Sequence, residues 1–540
     1  MKRRSWWGWG IEGEGLSPER RAALGALLGT QMDVGGLVAL SPPRLEDVAL
    51  PPMRARVPSA LEHLVVSDPR ERAGHTYGKA YRDVVRGLAG DLAPAPDVVA
   101  LPESEADVER LLAWADEEGY AVIPYGGGSS VVGGVEARCR EDYPAVVSLD
   151  LRKLSGVLEL DRVSRAARIA AGTFGPDLEA ALAADGLTLR HFPQSFEYST
   201  LGGWLATRAG GHFATLHTHI DDFVESLRLV TPRGGLESRR LPGSGAGPSP
   251  DRFFLGSEGA LGIITSAWMR VMPRPVHRAS QTFAYPDCLC RGRGRARSLA
   301  QSGLHPANAR VLDRWEALIN GVGDGTRAFL LVAFESWDHP VDASLARARE
   351  IALGAGGEPI ERAMAGALDT TALADAEDEQ AAQRWRKMFL RGPYLRDALA
   401  EMGMIVETFE TAITWDRFES FHREVREAAV RTLAEVAPGG AVVTSRLTHV
   451  YPDGAAPYFT VIAPGPPGAL VAAWDAVKVA VSETILAAGG TITHHHAVGR
   501  DHQPFYARQV PPLFGEVLQA AKRQLDPRGI LNPGCLLAGS

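Results

Sequence analysis

Cysteine is scarce in this sequence. The 540 residues contain 4 cysteines, and their irregular spacing matches neither a disulfide framework nor a paired zinc-ligand motif. Disulfides persist in oxidising compartments, so the lack of such a framework favours a reducing one. We therefore predict a cytoplasmic protein.

An excess of basic charge and a long apolar run are also lacking. The 57 basic and 65 acidic residues give a net charge of −8, without the basic surplus that binding to nucleic acid requires. Two basic clusters, Lys2–Arg4 and Arg291–Arg297, are interpreted as solvated faces, with contact to anionic lipid as the alternative. No apolar run reaches the roughly 18 residues that span a bilayer, and the first residues do not form an apolar signal core. We expect a soluble protein with at most peripheral membrane contact.

What the sequence does contain is a globular composition rich in loop-forming residues. Hydrophobic residues make up 45% and charged residues 23%, with 58 glycines and 36 prolines. Ser104 as N-cap, an apolar stripe and Gly119 predict a helix, and Ala121–Ile123 predicts the strand that follows it. The pattern changes after the prolines at 273 and 275. The length predicts two domains, or three, with a boundary at this change.

A glycine-rich loop follows that strand directly. The segment from Pro124 to Gly134 reads PYGGGSSVVGG, five glycines in eleven residues. Glycine permits positive φ and removes the Cβ, so successive N–H groups can converge on an anion such as a diphosphate. A plain flexible turn is the alternative. The loop contains no lysine for a Walker motif and lacks the G-x-G-x-x-G spacing.

Two later stretches have a related character. Pro193–Gly203 places Ser195, Ser199 and Thr200 before two glycines that open a helix, where free amides favour anions. Gly256–Ile264 combines three glycines with one acidic residue. Each stretch alone fits an ordinary turn, whereas together with the first loop they indicate a nucleotide site.

Three consecutive histidines, His494, His495 and His496, follow a strand-like segment. On a strand the first and third would share one face and the second would point away. A metal site needs further ligands, and no neighbouring cysteine or glutamate supplies one, so we predict no metal. The imidazoles then serve either a buried packing role or proton transfer and phosphate binding near neutral pH.

These motifs in this order resemble the vanillyl-alcohol oxidase superfamily, and within it the alkyldihydroxyacetonephosphate synthase family. The resemblance covers nearly the whole chain and is weakest across residues 278–380. Its motifs are Trp7–Gly10, Pro124–Ser130, Ser195–Gly211, Val230–Gly234, Gly256–Thr265, Glu407–Thr411, Trp415–Arg417 and His494–His496.

The resemblance implies an α+β fold, with a two-subdomain PCMH-type FAD-binding domain and an α+β cap domain that contains an antiparallel sheet. The implied divisions are an N-terminal helical or extended segment (1–92), the FAD-binding domain (93–276), the cap or substrate domain (277–480) and a C-terminal segment that returns to the flavin (481–540). A homodimer is also expected.

The resemblance further implies that four segments contact FAD. Ser129 stands where covalent relatives carry a tethering residue, so we expect non-covalent FAD. Gln194 departs from the aspartate that is typical of the family, which affects the detail of that contact. The predicted cofactor residues are Pro124, Tyr125, Gly126, Gly127, Gly128, Ser129, Ser130, Gln194, Ser195, Phe196, Glu197, Tyr198, Ser199, Thr200, Thr207, Arg208, Ala209, Gly210, Glu258, Gly259, Ala260, Leu261, Gly262, Ile263 and Ile264.

By the same resemblance, Tyr458 and the three histidines are catalytic, while Arg396 and, less closely, Arg310 bind a phosphate monoester. A core position for Tyr458 and a surface ion pair between Arg396 and Asp397 are the alternatives. The implied reaction exchanges the acyl group of acyl-dihydroxyacetone phosphate for a fatty alcohol through an adduct at flavin N5. Two rivals are an FAD-dependent 2-hydroxy acid dehydrogenase or oxidase, acting on D-lactate or 2-hydroxyglutarate, and a non-enzymatic flavin-binding scaffold.

Overall fold

A small, mainly parallel sheet leads into the glycine loop. The computed structural model describes residues 3–213, 215–286, 289–319, 323–354, 356–360 and 381–539. The strand order in this first sheet is β1 (Val65–Val66), β2 (Val98–Ala100), β4 (Val146–Asp150) and β3 (Ala121–Tyr125). Strands β2, β4 and β3 are parallel, and β1 joins β2 antiparallel. Loops that leave the ends of neighbouring parallel strands are the usual ligand sites of such sheets.

The helix before the loop begins and ends where the sequence predicts. In α4 (Glu105–Glu118) the Ser104 hydroxyl accepts the Asp107 N–H at 3.2 Å, and the Asp107 carboxylate accepts the Ser104 N–H at 2.9 Å. Gly119 ends the helix with φ +68°, a conformation that favours glycine. The predicted order of helix, strand and loop is confirmed.

A second sheet is antiparallel and shares a hydrophobic core with the first. Its order is β5 (Val157–Asp161), β6 (Ala166–Ala170), β10 (Ile263–Arg270), β8 (Val224–Thr231) and β9 (Gly234–Glu237), while β7 (Leu187–Thr188) pairs separately with β11 (Met272–Pro273). Helices α4, α5 (Gly175–Ala183) and α6 (Leu201–Thr207) contribute to this core. Ile530 and Leu531, near the carboxyl terminus, also belong to it, and Leu531 forms a parallel bridge with Val122.

The third sheet is the largest and is antiparallel throughout, as predicted for the cap. Its order is β15 (Glu358–Ile360), β12 (His277–Pro286), β14 (Arg327–Ser336), β13 (Asn308–Leu312), β18 (Val442–Val450), β19 (Gly454–Pro464) and β16 (Met404–Glu410), and β17 (Ile413–Thr414) pairs with β19.

Helices cover this third sheet and include two from the amino-terminal part of the chain. Its core takes residues from α8 (Leu289–Ala300), α10 (Asp342–Leu353), α11 (Ala381–Glu401), α12 (Phe418–Val436) and α13 (Leu470–Ala487), and from α1 (Pro18–Gly29) and α3 (Tyr81–Leu88). The other helices are α2 (Pro69–Gly74), α7 (Pro250–Phe254), α9 (Arg314–Ile319), α14 (Gln503–Gln509) and α15 (Pro512–Leu525). Among the described helices, none is both long and apolar enough to cross a bilayer.

Candidate active site

Three adjoining cavities extend from the glycine loop to the third sheet. The loop cavity lies beside Pro124, Tyr125 and Glu258. The central cavity shares with it Gly126, Ser130, Val135, Thr200, Gly203 and Thr207. The cap cavity, lined by Tyr458, Arg446 and Glu316, shares with the central cavity Val131, Gln194, Pro393, Arg396 and His496. An elongated ligand in the first two cavities would therefore end beside the third.

The glycine loop packs so closely on the segment before α6 that side chains cannot fit. A Cβ on Gly126 would lie 2.3 Å from the Thr200 hydroxyl oxygen, and one on Gly127 would lie 1.8 Å from the Tyr198 carbonyl oxygen. Gly128 has φ +66°, which favours glycine. The two predicted phosphate-binding stretches are thus in direct contact.

Several loop carbonyls accept hydrogen bonds from the protein, whereas five successive loop amides donate none to the described residues. Arg4 donates to the Gly127 carbonyl at 3.1 Å, the Lys79 amide to the Ser130 carbonyl at 2.5 Å, and Arg500 to the Gly133 carbonyl at 2.8 Å. The amides of residues 127–131 have no protein acceptor within the described part of the chain. A row of unsatisfied amides along a cavity fits the pyrophosphate of a dinucleotide.

Arg4 corrects the interpretation of the first basic cluster. Its side chain lies behind the glycine loop with its guanidinium carbon 4.6 Å from the centroid of the Tyr198 ring, and burial lowers its pKa. Arg4 is therefore packed against the glycine loop rather than part of a solvated face, whereas Arg3 is exposed and Lys2 lies outside the described residues.

Most of the predicted cofactor residues line the loop or central cavity. These are Pro124, Tyr125, Gly126, Gly127, Gly128, Ser129, Ser130, Gln194, Ser195, Ser199, Thr200, Thr207, Ala209, Gly210, Glu258, Gly259, Gly262, Ile263 and Ile264. Trp9, which the sequence argument did not assign to the cofactor, lines the central cavity as well.

Six predicted cofactor residues line none of the three cavities. Phe196, Ala260 and Leu261 belong to the hydrophobic core, and Glu197 is exposed. Tyr198 packs against Trp9 with ring centroids 5.7 Å apart, and the Arg208 Nε donates to Asp221 at 2.7 Å. A continuous segment directs only some of its side chains to one side, and a cofactor contact for these six residues stays a prediction.

Glu258 connects the third glycine stretch to the carboxyl-terminal part of the chain. Its Oε1 accepts the amide of Val498 at 2.9 Å and that of Gly499 at 3.0 Å. Burial raises the pKa of Glu258 to about 7, although these hydrogen bonds oppose the shift. The Asn532 side chain donates both to the Glu258 carbonyl, at 2.7 Å, and to the Gly134 carbonyl, at 3.0 Å. The first and third glycine stretches are therefore joined by one side chain.

The three histidines lie on a loop around a buried carboxylate, so the predicted strand is wrong. Glu410, at the end of β16, accepts the amides of His494, His495 and His496 at 2.7, 2.9 and 2.8 Å. Three successive amides can converge on one carboxylate only when the backbone curves, which a strand does not allow. Burial raises the pKa of Glu410 to about 7, and the amides oppose that shift. The signal in the sequence was the E-T-F-E-T segment, whose second glutamate is this residue.

Each imidazole consequently has different neighbours. The His494 Nε2 lies 2.6 Å from the Tyr451 hydroxyl and 3.3 Å from the His219 Nε2. The His495 ring is nearly parallel to the Tyr458 ring, at 6.2 Å, and the His496 ring meets that ring edge-on at 5.8 Å. His495 and His496 line the central cavity.

At neutral pH the three imidazoles are uncharged rather than partly protonated. Burial lowers the pKa of His494, His495 and His496 well below the usual value. Neighbouring histidines lower the pKa of His494 and His495 further, and the charge of Lys478 lowers that of His496. The expectation that they titrate near neutrality is wrong for the protein without its ligands. A neutral imidazole can still accept a proton from a bound substrate.

A fourth histidine, His449 on β18, lies beside the cluster. Its Nε2 is 2.9 Å from the Gly211 carbonyl oxygen, and it lines the central cavity. Nitrogen atoms of His449, His494 and His495 lie within 4.8 Å of one another, a set that could hold a metal ion. The sequence argument considered only neighbouring cysteine and glutamate and therefore missed His449, and the absence of a metal remains a prediction.

Tyr458 lies on β19 and forms part of the cap cavity wall. The guanidinium carbon of Arg446 is 3.8 Å from the centroid of its ring. Arg446 also pairs with Glu316 at 2.5 Å, and the Thr444 hydroxyl donates to the other Glu316 oxygen at 2.6 Å. Burial raises the pKa of Tyr458 and the Arg446 charge lowers it, with burial the larger effect. Nothing in the sequence marked Arg446, which reaches the site because β18 and β19 are adjacent.

The two predicted phosphate-binding arginines differ in position. Arg396 on α11 lines both the central and the cap cavity, and it also makes the ion pair with Asp397, at 2.7 Å. Arg310 has no exposed surface and donates to the His212 carbonyl at 2.8 Å. It lines none of the three cavities, so the structure does not support its assignment to the substrate. Its strand lies inside the third sheet, next to β18.

The cap cavity is lined by both polar and apolar side chains. Its polar lining includes Arg396, Arg446, Tyr458 and His496, of which Arg396 and His496 also line the central cavity. The apolar lining comes from Tyr81, Ile319, Leu395, Leu399, Val406 and Ile462. Such a lining suits a ligand with a polar head and an aliphatic chain.

Comparison with known proteins agrees with this geometry. A model described as an FAD binding domain matches residues 96–238, and one described as the C-terminal domain of FAD linked oxidases matches residues 293–536. The alkyldihydroxyacetonephosphate synthase of Dictyostelium discoideum is 31% identical over 489 residues, a match that covers 87% of this chain and 78% of the relative. The glycolate oxidase subunit of Bacillus subtilis is 24% identical over a match that covers 82% of this chain and 89% of that relative.

Solved structures give the same result. A structure of alkyldihydroxyacetonephosphate synthase superposes with a TM-score of 0.79 at 25% identity, over 98% of each chain. The predicted PCMH-type fold is thereby confirmed, and so is FAD as the cofactor.

Proposed function

Because this chain belongs to the alkyldihydroxyacetonephosphate synthase family, we propose that it makes ether lipid by exchanging the acyl group of acyl-dihydroxyacetone phosphate for a fatty alcohol. The observation that carries the proposal is the cap cavity, in which the side chains of Arg396, Tyr458 and His496 adjoin an apolar lining. A phosphate monoester with an acyl chain needs both features in one cavity.

FAD would be held by the amides of residues 127–131 and by the hydroxyl groups of Ser195, Ser199 and Thr200, which line the central cavity. When bound, the flavin supplies an electrophile at which the substrate carbon can be held without net redox change. The expected participation of flavin N5 stays a prediction. The rows of donors in the protein bind and orient the cofactor.

The phosphate would bind beside Arg396, which lines both the cap and the central cavity. Arg396 offers a planar fork of N–H donors there, a geometry that matches phosphate oxygens. The acyl chain, and later the alkyl chain, would extend along Leu395, Leu399 and Ile462. The carbon that reacts is then placed near Tyr458 and His496, at the border with the central cavity.

Protons must move at two stages of the exchange. A proton leaves C1 of the substrate and later returns to it, and the incoming alcohol loses its hydroxyl proton. The bond from C1 to the acyloxy oxygen breaks, the fatty acid leaves as its carboxylate, and a new bond forms from C1 to the alcohol oxygen. The neutral imidazoles of His495 and His496 are suited to accept these protons, and the Tyr458 hydroxyl is suited to donate a hydrogen bond.

The test is incubation of the purified holoprotein with palmitoyl-dihydroxyacetone phosphate and labelled hexadecanol in the absence of an oxidant. We expect labelled ether lipid and one equivalent of palmitate. Bleaching of the flavin absorbance near 450 nm by D-lactate or 2-hydroxyglutarate, with no ether formed, would instead identify a 2-hydroxy acid dehydrogenase. A homodimer and peripheral membrane contact also remain predictions, which light scattering and vesicle sedimentation would check.

A further inference from the structure

We propose that Asp397 is a positioning residue that fixes the Arg396 guanidinium for the substrate phosphate, and that the amino-terminal loop Trp7–Gly10 holds Asp397 in place. The inference rests on the proposed function, because it assigns a phosphate monoester to Arg396. It also gives a role to the Trp-Gly-Trp-Gly motif, for which the sequence alone indicated none.

The contacts of Arg396 leave one part of its guanidinium available. Its Nε and Nη2 donate to the Asp397 Oδ1 at 3.1 and 2.7 Å, and its Nη1 donates to the Lys79 carbonyl. An arginine carries five N–H groups, one on Nε and two on each Nη. These three bonds therefore leave one N–H on each Nη nitrogen without an acceptor within the described part of the chain. Two such groups are what a bidentate contact to phosphate requires.

The other carboxylate oxygen of Asp397 is bound by the amino-terminal loop. The Trp9 amide donates to the Asp397 Oδ2 at 2.5 Å. Asp397 is 6% exposed, so this is not the surface ion pair that was the alternative for Arg396. The carboxylate joins the loop and Arg396 through its two oxygens, and the loop thereby limits how the carboxylate can turn.

Two glycines allow the loop to approach α11 this closely. A Cβ on Gly8 would lie 2.8 Å from the Asp397 Oδ2. A Cβ on Gly10, which has φ +67°, would lie 2.0 Å from the Tyr394 hydroxyl oxygen. The Trp-Gly-Trp-Gly spacing is therefore explained by contact with the helix that carries Arg396.

The same segment also reaches the glycine loop. Arg4 donates to the Gly127 carbonyl, and the Trp9 ring packs edge-on against Tyr198. The Tyr198 hydroxyl lies 3.0 Å from that of Tyr394 on α11. Residues 4–10 thus contact both the loop predicted to hold the cofactor and the helix predicted to hold the phosphate.

The test compares Asp397→Asn and Gly8→Ala with the wild-type holoenzyme. Asparagine keeps the size of the Asp397 side chain and removes its charge. The methyl group of alanine at position 8 should instead displace the Asp397 carboxylate from the Trp9 amide and leave the carboxylate chemically unchanged. We expect the KM for acyl-dihydroxyacetone phosphate to rise about tenfold in each variant, since misplacing a binding group by about 1 Å has effects of at least that size. The KM for hexadecanol and the flavin absorbance should stay unchanged. A loss of folding alone would not separate the two KM values in this way.

Glu483→Gln is the matched control. It removes the carboxylate of a half-exposed ion pair between Glu483 on α13 and Arg508 on α14. Its KM values should equal those of the wild type. The proposal is overturned if flavin-loaded Asp397→Asn or Gly8→Ala keeps the wild-type KM for the phosphate substrate, or if both KM values rise equally.

A binding measurement separates this proposal from the proposed function. Inorganic phosphate is titrated into the holoprotein, and the perturbation of the absorbance near 450 nm is followed. If the wild-type protein makes no ether lipid, the proposed function fails, yet a tenfold weaker phosphate affinity in Asp397→Asn still supports the positioning role. Equal phosphate affinity in the variant and the wild type overturns it.

Discussion

The guanidinium carbon of Arg446 lies 3.8 Å from the centroid of the Tyr458 ring. Burial raises the pKa of Tyr458 and the neighbouring positive charge opposes the increase. The phenol therefore stays protonated at neutral pH, while the arginine would stabilise negative charge that develops on its oxygen. Tyr458 lines the cap cavity, and its role there as a hydrogen-bond donor stays a prediction.

Replacement of Tyr458 by phenylalanine should reduce the rate of ether-lipid formation at least 100-fold, which is the usual contribution of a proton donor. The aromatic ring is retained, so packing against His495 and His496 persists and FAD stays bound. The measurement is the initial rate with labelled hexadecanol, together with the ratio of absorbance at 450 and 280 nm. Wild-type activity in the flavin-loaded variant would remove Tyr458 from the mechanism.

Replacement of Arg446 by methionine should destabilise the protein by about 3–5 kcal/mol, because it removes a charge that pairs with the buried Glu316 carboxylate. The double variant Arg446→Met with Glu316→Gln should recover part of this loss, since glutamine can still accept from Thr444. Thermal unfolding of the three proteins provides the measurement. Equal melting temperatures for the single variant and the wild type would contradict the predicted role of the pair in stability.

Replacement of Gly127 by alanine should abolish FAD binding. The added Cβ would lie 1.8 Å from the Tyr198 carbonyl oxygen, so the loop must leave the segment before α6. Gly294→Ala is the control. Apart from its own helix, no described residue lies within 4 Å of a Cβ added at this position on α8, and alanine favours the helix. Flavin content after gel filtration would check both. Stoichiometric flavin in the Gly127 variant would show that the close approach is dispensable.

Acid should destabilise the folded protein through its buried histidines, for which His502 gives a separable example. Burial lowers the pKa of His502 well below 6.5, so below pH 6.5 the unfolded chain takes up a proton that the folded chain does not. Each such histidine costs about 1.4 kcal/mol per pH unit in that range. His502→Gln keeps a donor for the Ala497 carbonyl and should weaken the dependence of the melting temperature on pH between 5 and 6.5.

FAD should leave the protein on denaturation, because Ser129 offers no ordinary tether at the glycine loop. Precipitation with trichloroacetic acid should transfer the yellow colour to the supernatant, where chromatography would identify FAD. A yellow pellet would instead indicate a covalent bond.

The cluster of His449, His494 and His495 calls for metal analysis of the same preparation, in which we expect less than stoichiometric metal.

Local patterns predicted the helix and strand that precede the glycine loop, as well as the loop itself. Ser104, Gly119 and the glycines at 126–128 act through their own backbone conformations, so their effect is visible in a short window of sequence. The predicted strand for the histidines failed for the opposite reason. Their backbone is shaped by Glu410, more than 80 residues earlier, and no local pattern contains that contact.

The site residues that the sequence did not reveal all arrive from distant segments. Arg446 and His449 face the site because β18 lies beside β19 in the third sheet. Arg4 and Trp9 reach it because the amino-terminal residues pack on α11 and behind the glycine loop. Arginine and histidine are common on protein surfaces, and Trp9 lies in a motif to which the sequence assigned no role, so only the contacts in the fold identify these residues.

The sequence by itself determined that a glycine-rich loop with accessible backbone amides would follow β3. Glycine has no side chain, and it readily adopts the backbone conformation that this loop requires. Only the tertiary structure determined which charged groups lie next to each other. It placed the Asp397 carboxylate between Trp9 and Arg396, buried the histidines as neutral groups, and excluded Arg310 from the cavities. The reason is physical: backbone freedom depends on a residue and its neighbours in the chain, whereas burial and charge pairing depend on what the whole fold brings together.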